Sequence, residues 1–332
     1  MSRLVSDSCL GSGVGVWVRG IAVTAALVLW PAEARPGNAE SGLRVERTDT
    51  TVSVLAGDRL CARYRFAGVT HKPYVDKLLT PAGTSVLRDA PHDHLHHHAL
   101  MFAIAVDGVN FWEERPASGR EVPRGAIRTA LDQVRGWDCV RLGQALDWIA
   151  SPGDQLLLRE ERTIEVFVAA DLEASLLTWQ ARLTVPAGRT SATLSGSPYF
   201  GLGVRFLESM DDGGHFQNAD GATGVSGTND VRSAWCAYQA VADGKTVTFA
   251  MFDHPDNVRY PATWYTMGDK PGEFVYMTNT LNLKREPLAI SSDQPLVLRY
   301  GVALWDGRAD AARVGELYRR WAALPATASA PL

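Results

Sequence analysis

The chain has 332 residues, of which 46% are hydrophobic, and this is enough apolar material for a large buried core. Its 33 basic and 37 acidic residues give a formal net charge of −4 at pH 7, without a basic stripe. We therefore expect no nucleic-acid partner, because binding to phosphates needs clustered positive charge. The charged residues form no long blocks of one sign, which argues against a disordered chain.

An apolar run near the N-terminus predicts export from the cytoplasm. Residues 21–30 (IAVTAALVLW) follow Arg19, and the Ala-Glu-Ala pattern at 32–34 is typical of a cleavage site. The run is too short to cross a bilayer, and no other apolar run in the sequence is long enough to do so. We interpret residues 1–34 as the signal peptide of a periplasmic or secreted protein, with a short buried helix as the alternative.

Alternation of apolar and polar residues predicts strands from about residue 43 onward. Residues 51–55 and 59–66 alternate on either side of an Ala-Gly-Asp turn, which is the pattern of a β-hairpin. Similar runs occupy residues 155–159, 163–168, 175–185, 190–195, 246–252 and 296–304. The connections carry Gly, Pro, Asp and Asn, as turns require.

Residues 91–98 (PHDHLHHH) hold five of the eight histidines and lead into an apolar run. In an extended chain His92, His94, His96 and His98 would share one face of a strand, opposite His97 and Asp93. Such clustering predicts a functional site more than a packing arrangement, because imidazole titrates near neutral pH and is the commonest metal ligand. A solvated, histidine-rich turn is the alternative.

Two kinds of chemistry are open to this segment. His94 and His96, about 7 Å apart at their Cα atoms on one strand face, could share an ion. Neutral imidazoles suit a divalent metal such as Zn, Mn, Fe, Ni or Cu. Without a metal, His94, His96 and His97 remain suitable general acids and bases near pH 7.

Further candidates lie elsewhere in the chain. Arg205 follows a glycine-rich run and could clamp a carboxylate or sugar hydroxyls, or pair on the surface. His254 and Asn257, in the sequence Asp-His-Pro-Asp-Asn, could face the histidine cavity or simply form a turn. Glu113 and Glu114 could offer a catalytic carboxylate.

Aromatic residues near these motifs are candidates for substrate contact. We expect Trp112, Trp235 and Tyr74, together with Asn257, to bind substrate, because aromatic faces commonly pack against sugar rings. Packing in the core is the more frequent role of an aromatic residue in a β-sandwich.

The later part of the chain completes the expected fold. Residues 208–230 form a long polar stretch that predicts a functional or mobile loop. Residues 309–324 carry one apolar stripe at three-to-four spacing and predict a helix. Because strand follows strand without βαβ alternation, we predict an all-β fold. Its architecture would be a large antiparallel β-sandwich of the supersandwich type with one C-terminal helix, in a single domain over residues 40–325.

Several motifs together resemble one known family. They are TPAG from Thr80, RDAPHDHLHHH from Arg88, GVNFW from Gly108, GLGVR from Gly201, AWC from Ala234, DHPDN from Asp253, and Arg299-Tyr300. These motifs are similar to those of the "methane oxygenase PmoA" family of exported bacterial proteins, over residues 45–307. The family's genes lie beside those for sugar oxidoreductases and keto-disaccharide hydrolases, which implies a role in carbohydrate catabolism. Ala99 stands where the resemblance predicts a glycine.

The leading hypothesis is an exported carbohydrate-active enzyme that cleaves a glycosidic bond, by hydrolysis or by β-elimination of a 3-keto-glycoside. His94, His96 and His97 would carry the chemistry, with His254 and Arg205 as partners, acting on a small carbohydrate. The alternatives are a non-catalytic sugar- or metal-binding module and the metal-dependent oxygenase that the family name implies.

Overall fold

Antiparallel strands make up most of the fold. The computed structural model describes residues 42–268 and 270–326, which lie within one compact unit, Pro36–Leu332. Its elements, in chain order, are β1 (Leu43–Arg47), β2 (Thr51–Ala56), β3 (Arg59–Arg65), β4 (Tyr74–Leu78), β5 (Leu100–Ala103), β6 (Ala105–Val106), β7 (Val109–Asn110), β8 (Arg120–Val134), β9 (Trp137–Ile149), β10 (Leu156–Val168), β11 (Ser175–Thr184), β12 (Ser191–Ser195), β13 (Gly201–Arg205), β14 (His215–Asn218), α1 (Gly224–Thr228), β15 (Trp235–Ala242), β16 (Lys245–Asp253), β17 (Thr263–Met267), β18 (Tyr276–Thr280), β19 (Leu288–Ser291), β20 (Leu296–Asp306) and α2 (Ala311–Ala322). The predicted signal peptide, residues 1–34, lies outside the described residues.

Two eight-stranded sheets form the sandwich. The first has the strand order β1-β2-β3-β4-β5-β13-β18-β17, and the second has the order β14-β15-β16-β20-β11-β10-β9-β8. A smaller sheet, β19-β12-β6-β7, accompanies them. The prediction of an all-β antiparallel sandwich with a C-terminal helix is therefore confirmed.

Most of the predicted strands appear where alternation placed them. The hairpin of β2 and β3 is present, with the two strands paired antiparallel about the turn at residues 57–58. The two runs predicted at 155–159 and 163–168 are one continuous strand, β10, which pairs with β9 and β11 along its length.

The polar stretch at 208–230 is more ordered than the sequence predicts. It contains a 3₁₀ turn (Glu208–Met210), β14 and α1. Buried Phe216 and Asn218 alternate with more exposed neighbours in β14, which is enough to add this strand to the edge of the second sheet. The prediction of a long loop is wrong here.

The core between the sheets fixes which side chains point inward. Phe102 of β5 packs against Trp148 of β9, with ring centroids 6.1 Å apart, and against Tyr300 of β20 at 6.3 Å. Since successive side chains of a strand point to opposite faces, Met101 and Ala103 beside Phe102 lie on the outer face of the first sheet.

The outer face of the first sheet carries a distinct row of side chains. Arg205 pairs directly with Tyr276, and Tyr276 pairs with Met267, so the three share this face. The second sheet's outer face is covered by α2, whose Val314, Leu317 and Trp321 are buried against it. Asp310 caps this helix by accepting a hydrogen bond from the Arg313 N–H at 2.9 Å.

Within residues 42–268 and 270–326, no helix combines the length and the apolar character that a bilayer crossing requires.

Candidate functional site

The histidine segment consists of turns, not of a strand. The His94 N–H donates to the Pro91 carbonyl at 3.0 Å, and the His97 N–H donates to the His94 carbonyl at 2.9 Å. The Ala90 N–H donates to the His97 carbonyl at 2.9 Å and closes the loop. The predicted alternation of faces is therefore wrong, because consecutive turns reverse the chain before β5 begins.

The turns bring three imidazoles together. The ring centroids of His94 and His97 lie 4.6 Å apart, those of His96 and His97 4.7 Å, and those of His94 and His96 5.7 Å. His97 is buried, while His94 and His96 are partly exposed. Strand alternation predicted His97 on the face opposite His94 and His96. It also predicted His92 on the same face as those two, and His92 is exposed.

These imidazoles open into a cleft of about 290 Å³ on the outer face of the first sheet. Its lining consists of His94, His96, His97, Trp112, Glu113, Arg115, Tyr199, Tyr265, Met267, Phe274 and Tyr276. The Trp112 ring centroid lies 5.0 Å from those of both His96 and His97. The cleft thus combines aromatic walls with imidazoles and an ion pair, Glu113 with Arg115 at 2.9 Å.

Distant parts of the chain supply the cleft walls. Trp112 follows β7, Tyr199 precedes β13, and Tyr265 and Tyr276 come from the paired strands β17 and β18. Gly203 on β13 makes room for Tyr276, since a Cβ atom at this position would lie 1.9 Å from the tyrosine hydroxyl.

Burial keeps part of the imidazole cluster neutral. Desolvation, followed by the nearby charges of His96 and His94, lowers the pKa of His97 to about 2. Desolvation, followed by His94, also lowers the pKa of His96. Both rings are therefore neutral at physiological pH and offer one N–H donor and one nitrogen acceptor each.

His94 differs from its neighbours because a carboxylate faces it. Its Nδ1 lies 3.0 Å from the Asp93 Oδ2, and the Arg205 Nη2 lies 3.3 Å from the same oxygen. Burial opposes ionisation of Asp93, but His94 and Arg205 outweigh it and lower the pKa of Asp93 to about 2. An ionised Asp93 therefore lies beside the His94 ring, as a carboxylate does beside a general base.

Arg205 lies behind Phe274 and does not line the cleft. Its guanidinium carbon lies 3.6 Å from the Phe274 ring centroid, and Phe274, not Arg205, lines the cleft. Its Nε and Nη1 find no hydrogen-bond partner among the described residues, although the side chain is buried. Arg205 therefore acts on the site through Asp93, and the predicted direct contact with substrate is not what this geometry favours.

A second charge network lies behind the cluster and was missed in part by sequence reasoning. His98 bridges two carboxylates, with Nδ1 2.8 Å from Asp89 Oδ1 and Nε2 3.0 Å from Glu114 Oε1. The buried Lys72 ammonium lies 2.8 Å from the same Glu114 oxygen and donates to the Trp112 carbonyl at 3.1 Å. Nothing in the local sequence around Lys72 signals this role, because the lysine meets its partners only through folding.

The charges in this network support one another. Burial disfavours a charged His98, but hydrogen bonds to Asp89 and Glu114 outweigh it and raise the pKa of His98. Burial likewise opposes ionisation of Glu114, whereas His98 and Lys72 lower the pKa of Glu114 to about 2. Tyr74 stacks on the His98 ring at 4.4 Å and donates to Asp89 at 2.8 Å. Tyr74 therefore supports the histidine loop and is not part of the cleft lining.

Comparison with known families places the chain in one of them. Residues 51–319 match a family described as "Family of unknown function (DUF6807)". The chain belongs to the DUF6807 family. No curated protein matches it. The DUF6807 match runs from β2 into α2, so all the residues of the cleft lie inside it.

Two of the expected partners lie on the other side of this DUF6807 fold. The His254 Nε2 lies 3.2 Å from the Ala322 carbonyl oxygen, and its ring centroid lies 5.4 Å from that of Trp321. Trp235 is buried in the same cluster under α2. Both side chains lie on the outer face of the second sheet, whereas the histidine cleft lies on the outer face of the first. The expectation that they meet the cleft is therefore corrected.

Asn257 also has a structural role. Its Nδ2 donates to Asp253 Oδ1 at 2.7 Å and to the Arg299 carbonyl at 2.8 Å, and its Oδ1 accepts from the Arg299 N–H at 2.7 Å. These bonds close the turn after β16, which is the alternative that the sequence Asp-His-Pro-Asp-Asn left open.

The donor geometry does not favour a metal at the cluster. Within the described part of the chain, no three His, Cys, Asp or Glu side chains are arranged to hold a metal ion. The stacked His94 and His97 rings, with planes 29° apart, do not aim their in-plane lone pairs at one point, whereas the predicted pair His94 and His96 has ring centroids 5.7 Å and planes 61° apart. A metal at His94 and His96 stays a prediction, and no step below is routed through one.

Proposed function

We propose that the cleft binds a small carbohydrate and that its histidines cleave a glycosidic bond, in an exported protein. The observation that carries this proposal is the meeting of three imidazoles, one of them 3.0 Å from the Asp93 carboxylate, in an aromatic-walled cleft. Imidazoles that transfer protons, beside aromatic rings that pack on sugars, suit the β-elimination of a keto-glycoside.

The walls of the cleft suit a sugar ring. Trp112 and Tyr199 lie with ring centroids 4.7 Å apart, and Tyr199 lies 5.9 Å from Tyr265. The partly exposed rings of Tyr199 and Tyr265 offer apolar surface to the C–H groups of a pyranose, with the buried Trp112 packed behind Tyr199, while imidazole nitrogens and Glu113 can bind its hydroxyls. The buried Nδ1 of His97 has no hydrogen-bond partner among the described residues.

We assign the role of base to His94, because Asp93 stabilises the cation that His94 becomes on accepting a proton. In a keto-sugar, His94 would remove the proton from the carbon beside the ketone, and that electron pair would form an enolate. The neutral His97 can donate a hydrogen bond to the enolate oxygen without gaining charge.

The same groups can complete the cleavage. As the enolate re-forms the ketone, a carbon–carbon double bond is made and the bond to the glycosidic oxygen breaks. The leaving oxygen takes a proton from the N–H of His96, and His96 regains a proton from the imidazolium of His94, so that both rings end neutral. With an unoxidised glycoside, His94 would instead activate a water molecule for hydrolysis.

The test is a screen of glycosides and 3-keto-glycosides with the wild-type protein and the variants His94→Ala and His96→Ala. We expect turnover by the wild type and a loss of at least a hundredfold in kcat for each variant. His92→Ala is the matched control, because His92 lies in the same loop but is exposed. Turnover that survives in His94→Ala would refute the assignment.

The screen also separates the rival functions. Sugar binding without turnover by the wild type would identify a binding module instead of an enzyme. Consumption of oxygen with the same substrates would identify an oxygenase.

A further inference from the structure

A second cavity lies beside the histidine cleft and shares a wall with it. Its volume is about 270 Å³, and Tyr265 lines both spaces. The two spaces also share a second wall, because Ser197 and Pro198 line the second cavity and the next residue, Tyr199, lines the cleft. The two spaces therefore adjoin at Tyr265, and we refer to them together as the groove.

Strand β17 forms the floor of this groove. Thr263, Tyr265 and Met267 are alternate residues of β17 and share its outer face. Thr263 lines the second cavity, Met267 lines the histidine cleft, and Tyr265 lies between them. Thr263 and Met267 are four positions apart along the strand, which is about 13 Å and comparable to the length of two linked sugar rings.

The far end of the groove is polar. It is lined by Asn229, Asp230, Asn282, Lys284 and Arg285. Amide, carboxylate and ammonium groups in this mixture suit a ligand that presents many hydroxyls. The aromatic rings at the near end of the groove offer the complementary apolar faces.

This polar end is held by hydrogen bonds and an ion pair. Asp230 and Asn282 have positive φ angles of 62° and 54°, which Asp and Asn adopt more readily than other residues with a side chain. The Arg285 Nη1 donates to Asp230 Oδ1 at 2.8 Å, and the Arg259 Nη1 donates to the Leu281 carbonyl at 2.6 Å. These contacts fix the positions of the side chains that line the second cavity.

We propose that the second cavity is a sugar subsite, so that the ligand is a glycan of at least two units with one unit beside the histidines and the next beside Asn282 and Lys284. This inference rests on the proposed function for the identity of the ligand as a carbohydrate. It adds that the protein distinguishes glycans by their number of sugar units.

The test is glycan binding as a function of length, with His94→Ala protein so that turnover does not intervene. Monosaccharides, their methyl glycosides, and the matching di- and trisaccharides are arrayed and then titrated calorimetrically. We expect disaccharides to bind about tenfold more tightly than the matching methyl glycosides, as one or two added hydrogen bonds would allow. When Asn282→Gly or Lys284→Ala is combined with His94→Ala, most of the tenfold preference for disaccharides should disappear. Binding of the methyl glycosides should stay unchanged.

Matched controls guard against general damage to the fold. Glycine at position 282 keeps the positive φ angle accessible, and Lys245→Ala removes an exposed lysine from the second sheet. Equal affinity for one-unit and two-unit sugars would overturn the subsite, even if the enzyme proves active. Length-dependent binding without any turnover by the wild type would support the subsite and refute cleavage. Failure of every glycan to bind would overturn both proposals.

Discussion

His98 and Glu114 join the histidine loop to the segment that carries Trp112, with the imidazole Nε2 3.0 Å from the carboxylate Oε1. The pair lies directly behind the cleft, and the same Glu114 oxygen also receives the buried ammonium of Lys72. The histidine that is expected to carry a proton is thus the one that fixes the loop, whereas His96 and His97 stay neutral in the cleft.

Replacement of His98 by Ala should destabilise the protein in a pH-dependent way. The raised pKa of His98 means that the folded state binds its proton more tightly than the unfolded state does. Its contribution to stability is therefore full below the unfolded value of about 6.5 and is lost as pH rises through the folded pKa. We expect His98→Ala to lower the free energy of unfolding by about 2 kcal/mol at pH 6 and by less at pH 9.

Urea unfolding at the two pH values measures this difference. His92→Ala should unfold like the wild type at both, since His92 is an exposed residue of the same loop. If the free energies of unfolding of the wild type and His98→Ala differ by the same amount at pH 6 and pH 9, His98 stabilises the protein by packing alone.

His97 should make the protein sensitive to acid. Its pKa is about 2 in the folded state, so between that value and about 6.5 the unfolded state binds more protons. Stability linked to His97 is therefore full above pH 6.5 and falls as pH drops, by about 2 kcal/mol at pH 5. The variant His97→Phe keeps a ring among Trp112, Phe274 and Tyr276 and cannot titrate.

We expect His97→Phe to lose clearly less stability than the wild type between pH 7 and pH 5. Chemical denaturation at both pH values is the measurement, with His215→Ala as a control on an exposed histidine of β14. Identical losses in the wild type and in His97→Phe would contradict a neutral, buried His97.

Asp93 and Arg205 should affect kcat more than KM. Asp93→Asn removes the charge that stabilises protonated His94, and we expect kcat to fall about a hundredfold with little change in KM. Arg205→Lys should cause a smaller fall, because lysine keeps the charge but not the planar guanidinium that stacks on Phe274.

Steady-state kinetics with the substrate found in the screen check both variants. Arg44→Lys, on exposed strand β1, is the control for an arginine replacement. A rise in KM without a fall in kcat would instead assign Asp93 and Arg205 to substrate binding.

Removal of metal should leave the protein and its activity unchanged. We expect this because no step of the proposed mechanism uses a metal and no three His, Cys, Asp or Glu side chains of the described residues are arranged to hold one. Protein purified without a histidine tag is dialysed against a chelator, and its metal content, melting temperature and turnover are compared before and after. One equivalent of Zn, Mn, Fe, Ni or Cu that is lost together with activity would overturn the metal-free mechanism.

The sequence was sufficient to predict the class of fold. Alternation in β12 and the apolar stripe of α2 are local patterns, and each depends only on which face of an element is buried. The prediction of a loop at residues 208–230 was wrong because β14 forms by pairing with β15, which its own composition does not indicate.

The sequence by itself determined that residues 91–98 form a site candidate, because five histidines in one short segment have a chemical meaning wherever they lie. Only the tertiary structure decided which of them work together. Turns, not strand alternation, bring His97 to His94 and His96, and long-range pairing sets Lys72 and Glu114 against His98. His254 stands on the opposite outer face for the same physical reason, since contacts between distant segments depend on sheet order, which no local pattern encodes.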